Sequence, residues 1–453
     1  MNKYRQFVTY ANYSAFLALL CVMPYAMPFI RFFGLVWIIS WLMEGRFLHR
    51  PKLSRANLII TGGFVIWFIW NALSILWADD KQIAFAYVQR YLYLLAIPLV
   101  MLWGVNERYN WQQIVKVLII SSAISVFVYL FTHYWLINAA SAWDRLVPRQ
   151  HDIDWLHLDD FLHGLKHRLH YSSFLTLTLA AGLFTLTADS QKNISAEQRA
   201  TNICGLSAAA IIILLACYWT GSRAAIINCA IVFALKALYW WTHLPERKGL
   251  QPRPKWQKYR AAFAVVVIFI AAFLLMMRFH PRQKGLTLHE QLTIHQEDSY
   301  SPAIDPRVAI WHTALESPSD YSLYGLGAGN STDYMMKRYE AYGWDYYHYN
   351  RYSVHNQFLA TWMELGLVAG ILWFIFWLAI PFLFAGRQRF WAALFIAICL
   401  VGLSTDLFIA GVEGIAFLII GFVLLTISSG CGTKATVPVE DGCLPQDDGQ
   451  TAQ

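Results

Sequence analysis

Arg223 stands where one apolar run ends and the next begins, within W-T-G-S-R-A-A, and Arg307 opens an R-x-x-x-W pattern beside Asp305 and Pro306. An always-charged planar guanidinium suits a phosphate or diphosphate better than a lysine does, and Gly221 and Ser222 let the backbone approach a ligand closely. On position alone a snorkelling interfacial arginine accounts for Arg223 equally well, and a solvated helix face does the same for Arg307. His355, in S-V-H-N-Q-F, is the last titratable group before a long apolar run, and imidazole is the usual general base near neutral pH. A lone histidine is more often structural, so its weight comes from sharing a membrane side with both arginines. Asn356 beside it could orient the ring or an acceptor sugar.

A second tier of residues could line the same pocket. Arg90, in Y-V-Q-R-Y-L-Y, and Asp406, in S-T-D-L-F, are charges inside apolar runs, and Arg90 ranks first for an anionic ligand. His163, His167 and His170 fall on one helical face, which is metal-like spacing, although a solvated interfacial loop is the stronger account. Arg168 and His170, just before the next apolar run, could instead face the pocket of Arg223. The run Gly325-Leu-Gly327-Ala-Gly329 lacks the strand and helix of a nucleotide site, and tight turning with close backbone packing explains it better.

These residues need a membrane scaffold. The chain is 57% apolar and only 14% charged, which fits an all-α polytopic membrane protein and not a soluble core. Net charge is +7, but the basic residues are scattered between apolar runs, so they report topology and not nucleic acid. About twelve transmembrane helices are expected, at 10–30, 32–44, 56–77, 84–105, 114–137, 171–188, 203–220, 223–241, 260–279, 357–384, 390–411 and 413–429. This divides the chain into membrane helices over 1–279, with a His-rich loop at 138–170, a large loop over 280–356, further membrane helices over 357–430, and a disordered tail, 431–453. Lys and Arg gather in the loops around 46–55, 192–199, 247–260 and 387–389, which puts those loops and both termini in the cytoplasm. Arg223, Arg307 and His355 then share the opposite face. The cysteines lie in apolar runs and in the tail, without metal-ligand spacing or a disulfide framework.

The T-G-S-R-A-A junction, the R-x-x-x-W element followed by G-x-G-x-G, and H-N-Q-F-L leading to Glu364-Leu-Gly366 resemble the O-antigen ligase family, which shares its core with O-antigen polymerases. The segment Asn71-A-L-S-I-L-W-A-D-Asp80 and His167-R-L-H-Tyr171 are similar to it as well. The resemblance implies a GT-C-like glycosyltransferase of the bacterial inner membrane with its active site facing the periplasm. Its donor would be a glycan on undecaprenyl diphosphate and its acceptor a sugar hydroxyl of lipid A–core, with no metal or nucleotide cofactor. It further implies that Arg223 and Arg307 hold the diphosphate and that His355 activates the acceptor. An O-antigen or capsule polymerase and a protein O-glycosyltransferase are the nearest rivals. A transporter or flippase would show paired broken helices in repeated halves, and no such repeat is visible.

Overall fold

The computed structural model describes residues 3–25, 27–45, 48, 54–103, 108–144, 168–185, 196–219, 222–242, 267, 293–294, 305–321, 323–405, 414, 418–419 and 421. Fifteen α-helices run through these residues: α1 (Lys3–Val22), α2 (Met27–Glu44), α3 (Arg55–Ser74), α4 (Lys81–Arg90), α5 (Leu92–Trp103), α6 (Trp111–Asp144), α7 (Arg168–Thr185), α8 (Ala196–Trp219), α9 (Arg223–Thr242), α10 (Pro306–Glu316), α11 (Ser331–Tyr342), α12 (Asp345–Tyr349), α13 (Gln357–Leu365), α14 (Leu367–Ala379) and α15 (Gly386–Thr405). Short 3-10 turns follow α10 and α14, at Pro318–Tyr321 and Ile380–Leu383. Among the described residues, three segments are long and apolar enough to cross a membrane: Arg55–Ser74, Lys81–Met101 and Gln113–Phe131. Tyr171–Leu183, Ser207–Cys217, Leu367–Leu383 and Gln388–Ser404 are shorter apolar helices.

Along α6, Ile120, Ile124, Phe127 and Phe131 recur at helical spacing and are exposed, while Ile114, Leu118, Ser122 and Ser125 are buried. An apolar stripe turned outward from a helix whose inner face carries serines is the arrangement of a helix facing lipid. The serines are used: Ser125 shares a hydrogen bond with the Tyr171 hydroxyl at 2.8 Å, and Ser122 donates to Thr178 at 3.3 Å, joining α6 to α7. At the other side of α1, Asn12 donates to the Trp37 carbonyl and Ser40 hydroxyl and accepts from Tyr109, so one buried amide binds α1, α2 and the approach to α6.

Two apolar runs are broken where hydropathy reads them as continuous. The expected helix 10–30 ends at Val22, and a new one begins at Met27. Pro24 lacks the amide needed to continue, and the Tyr129 hydroxyl binds the carbonyls of Pro24 and Tyr25 at 2.7 and 2.9 Å, fixing the corner. The expected helix 357–384 is divided at Gly366, whose φ is 90° and where an added Cβ would lie 2.0 Å from the Leu323 carbonyl oxygen. Only glycine holds that backbone at so close an approach. The first piece, α13, joins a second core built by Ala309, Ile310, Tyr321, Met335, Tyr339, Trp344, Tyr347, Val354, Leu359 and Met363, whereas Trp373 and Trp377 of α14 belong to the main bundle core. Elsewhere α6 continues to Asp144, past the expected end at 137. All of the expected span 260–279 but Val267, all but a few residues of 413–429, the tail, and Asp406 lie outside the described residues.

Candidate functional site

The site is assembled by α10. Asp305 caps this helix through Oδ1, which accepts the Arg307 backbone N–H at 3.1 Å, and Pro306 occupies the first turn, where a missing amide costs nothing. The other carboxylate oxygen, Oδ2, accepts from the Arg223 guanidinium at 3.3 Å. One carboxylate therefore joins the first residue of α9 to the start of α10, although the two are separated by 82 positions in sequence. The arginine side chain is 42% exposed and Asp305 17%, so the pair sits at a surface, with a guanidinium still open to a ligand.

One turn beyond Arg307, the Trp311 indole N–H donates to the Val354 carbonyl at 3.1 Å. That bond fixes the residue before His355 to the helix that carries Arg307. His355 itself has φ 47°, a left-handed conformation that non-glycine residues adopt at a cost, and its ring lies 5.8 Å from that of Tyr352. Burial, with the hydrogen bond to Tyr346 second, holds the Tyr352 phenol above its ordinary range, so His355 has a neutral aromatic neighbour. Asn356 follows as the cap of α13, its Oδ1 accepting the N–H groups of Phe358 and Leu359 at 3.0 and 3.1 Å. That capping role engages the side-chain oxygen.

The glycine run locks this unit onto the membrane helices. Leu326 and Gly327 donate their N–H groups to the carbonyls of Met363 and Glu364 at 2.8 and 2.9 Å, satisfying the end of α13. Gly327 has φ 86°, and an added Cβ would lie 2.4 Å from Ala78 Cβ, so the turn touches the corner between α3 and α4 directly. Ser74 Oγ accepts the Ala328 N–H at 2.9 Å, and the Trp77 indole donates to the Tyr324 carbonyl at 3.0 Å. The expectation of tight turning and close backbone packing describes this run.

Glu364 was singled out only within a resembling motif, yet its carboxyl is held well above the ordinary carboxylate range. Its carboxylate is buried beneath the glycine run, accepting from Ser331 Oγ at 2.6 Å and from the Gly329 N–H. Desolvation raises its pKa to about 7 against the lowering effect of those two donors. An acid in an otherwise apolar helix end was the available sequence signal.

Of the remaining candidates, Arg90 ends α4 with its guanidinium carbon 5.2 Å from the Tyr87 ring centroid. Arg168 and His170 lie in the first turn of α7. Lys236 of α9 donates to the Leu183 carbonyl of α7 at 2.7 Å, which brings together the late parts of both helices. His163 and His167 lie outside the described residues.

A search of curated proteins finds no match to this chain. Residues 208–374 match the family model described as O-antigen ligase. That interval starts within α8 and holds Arg223, Asp305, Arg307, the glycine run, His355 and Glu364. The chain thus carries, over these residues, a domain similar to the O-antigen ligase family.

Proposed function

We propose that this protein transfers a polysaccharide from undecaprenyl diphosphate to a sugar hydroxyl of lipid A–core, at the periplasmic face of the bacterial inner membrane. The observation that carries the reading is that Asp305 bonds the Arg223 guanidinium with one carboxylate oxygen and the Arg307 backbone N–H with the other, with His355 tied to the same helix through Trp311 and Val354. In this reading the chain is a GT-C-like enzyme with about twelve spans, and its loop unit covers the donor diphosphate.

The donor is activated by its own leaving group, so the protein has two tasks. Arg223 and Arg307 stabilise charge as the bond between the anomeric carbon and the diphosphate oxygen breaks. His355, neutral before reaction, takes the proton of the acceptor hydroxyl as the new glycosidic bond forms. Undecaprenyl diphosphate departs, and attack opposite to it inverts the anomeric centre. Neither task calls on a metal or a nucleotide. Arg90, Arg168 and His170 are candidates for further contacts to the donor or to membrane lipid.

The lipopolysaccharide pattern of a deletion strain tests this function. Loss of all polysaccharide-capped core, restored by the wild-type chain and not by Arg223→Lys, is the expected result. Capping by a single repeat unit would instead assign the chain to polymerisation, and an unchanged pattern would contradict both.

A further inference from the structure

A cleft of about 690 Å³ lies between the α3–α4 corner and helices α11 and α12, lined by groups the mechanism above does not use. Asp79 contributes from the corner, Asn330, Asp333 and Glu340 from α11 and its cap, and Tyr334 and Tyr349 supply aromatic surface. We infer that this cleft binds neutral sugar units of the transferred glycan or its acceptor, an inference that rests on the glycosyl-transfer reading.

The chemistry of the lining carries the assignment. Ionised carboxylates only accept hydrogen bonds, and each can take two neighbouring hydroxyls, whereas an aromatic ring offers a flat apolar face to the C–H surface of a pyranose. Tyr349 is 87% exposed at the rim, where its ring face is open to a ligand. Asp79, Asp80, Asp333 and Glu340 outnumber the fixed cations Lys337 and Arg351, so the cleft repels phosphate and uronate and accepts uncharged sugars. The volume falls within the range of about 300 to 1,000 Å³ found for small-ligand sites, enough for a short stretch of oligosaccharide. Arg351 holds φ 49° at the rim while its guanidinium meets Asp333 at 3.1 Å, a strained residue kept in place at the mouth. The position also fits, since Asn330 Oδ1 accepts the Asp80 N–H at 3.3 Å and so links the cleft to the glycine run above Glu364.

The test is photo-cross-linking in cells that make the full chain. A benzophenone amino acid replaces Tyr349, and a second chain carries it at Leu315, which is exposed on α10 outside the cleft lining. After irradiation, the purified chain is probed for periodate-oxidisable carbohydrate. The expected result is a sugar-bearing adduct at 349 and none at 315, with yield at 349 falling at least fivefold when Asp79→Asn and Glu340→Gln are introduced into chain that retains its thermal stability. Adducts at 349 that contain only lipid or protein, or equal labelling at both sites, would overturn the inference. Its failure is separable from failure of the transferase reading. An empty cleft with inactive Arg223→Lys leaves transfer standing, whereas sugar at 349 with fully active arginine variants removes the diphosphate site and keeps the cleft.

Discussion

Asp305 meets the Arg223 guanidinium at 3.3 Å with one carboxylate oxygen while the other caps α10 by accepting the Arg307 N–H. A carboxylate on the Arg223 guanidinium occupies a position an anionic ligand would need, so ligand and carboxylate compete for that guanidinium. Asp305→Asn keeps an oxygen for the cap and removes the charge. It should retain thermal stability and bind the lipid diphosphate at least as tightly as wild type. Asp305→Ala loses the cap as well and should be less stable by about 1 kcal/mol. Weaker donor binding in a stable Asp305→Asn chain would show that the pair positions Arg223 instead of competing for it.

The Trp311 bond to Val354 predicts a split in kinetics. Trp311→Phe keeps most of the packing and deletes one donor, at a cost of about 1 kcal/mol in stability. Because the segment bearing His355 loses its tie to α10, kcat should fall about tenfold while donor KM stays within about twofold. A change confined to KM would assign the tryptophan to donor binding.

Gly327 and Gly343 separate docking from local conformation. Both have positive φ, 86° and 66°, but an added Cβ would meet Ala78 at the first and nothing within 4 Å at the second. Gly343→Ala should therefore cost only the left-handed penalty, roughly 1 kcal/mol. Gly327→Ala carries the same penalty and must also push the loop unit off the α3–α4 corner, so limited proteolysis should cut the loop unit faster in that variant alone. Equal protease sensitivity in the two variants would contradict the docking role.

Glu364 gives a pH dependence with a definite sign. Its folded-state pKa, about 7, lies above the ordinary 4.5, so the folded chain favours the protonated acid. Below about pH 4.5 the group contributes no difference. Stability is then lost as pH rises from 4.5 to 7, reaching ~3 kcal/mol above that range. Glu364→Gln should match wild type in acid and be more stable than it above pH 7, with the crossover measured by thermal unfolding in detergent. A glutamine variant less stable at pH 8 would mean that the ionised carboxylate, held by Ser331 and the Gly329 N–H, is the favoured state.

The sequence was informative where local chemistry decides structure. Asp305-Pro306 reads as a helix start and is one, and the glycine run reads as a close-packed turn and is one. Hydropathy was blind to the breaks at Pro24 and Gly366, because residues on both sides of each are apolar; Pro24 and Gly366 mark them locally, while the contacts that fix the corners, from the Tyr129 hydroxyl and against the Leu323 carbonyl, come from distant groups. The partnership of Asp305 with Arg223 was equally hidden, since 82 residues separate them and only the fold makes them neighbours. Asn356 caps α13, a structural role that its place beside a histidine did not signal.

The central claim divides the work between residues that hold the donor and one that removes a proton, and one measurement on purified protein tests it. Binding of undecaprenyl-diphosphate-linked glycan and transfer to acceptor are measured together for wild type, Arg223→Lys, Arg307→Ala and His355→Ala. The account predicts donor affinity reduced by about tenfold or more in both arginine variants, from loss of charge-assisted bonds, and affinity within about twofold of wild type in a His355→Ala chain that transfers nothing. Loss of donor binding in His355→Ala, or wild-type binding in both arginine variants, would contradict it.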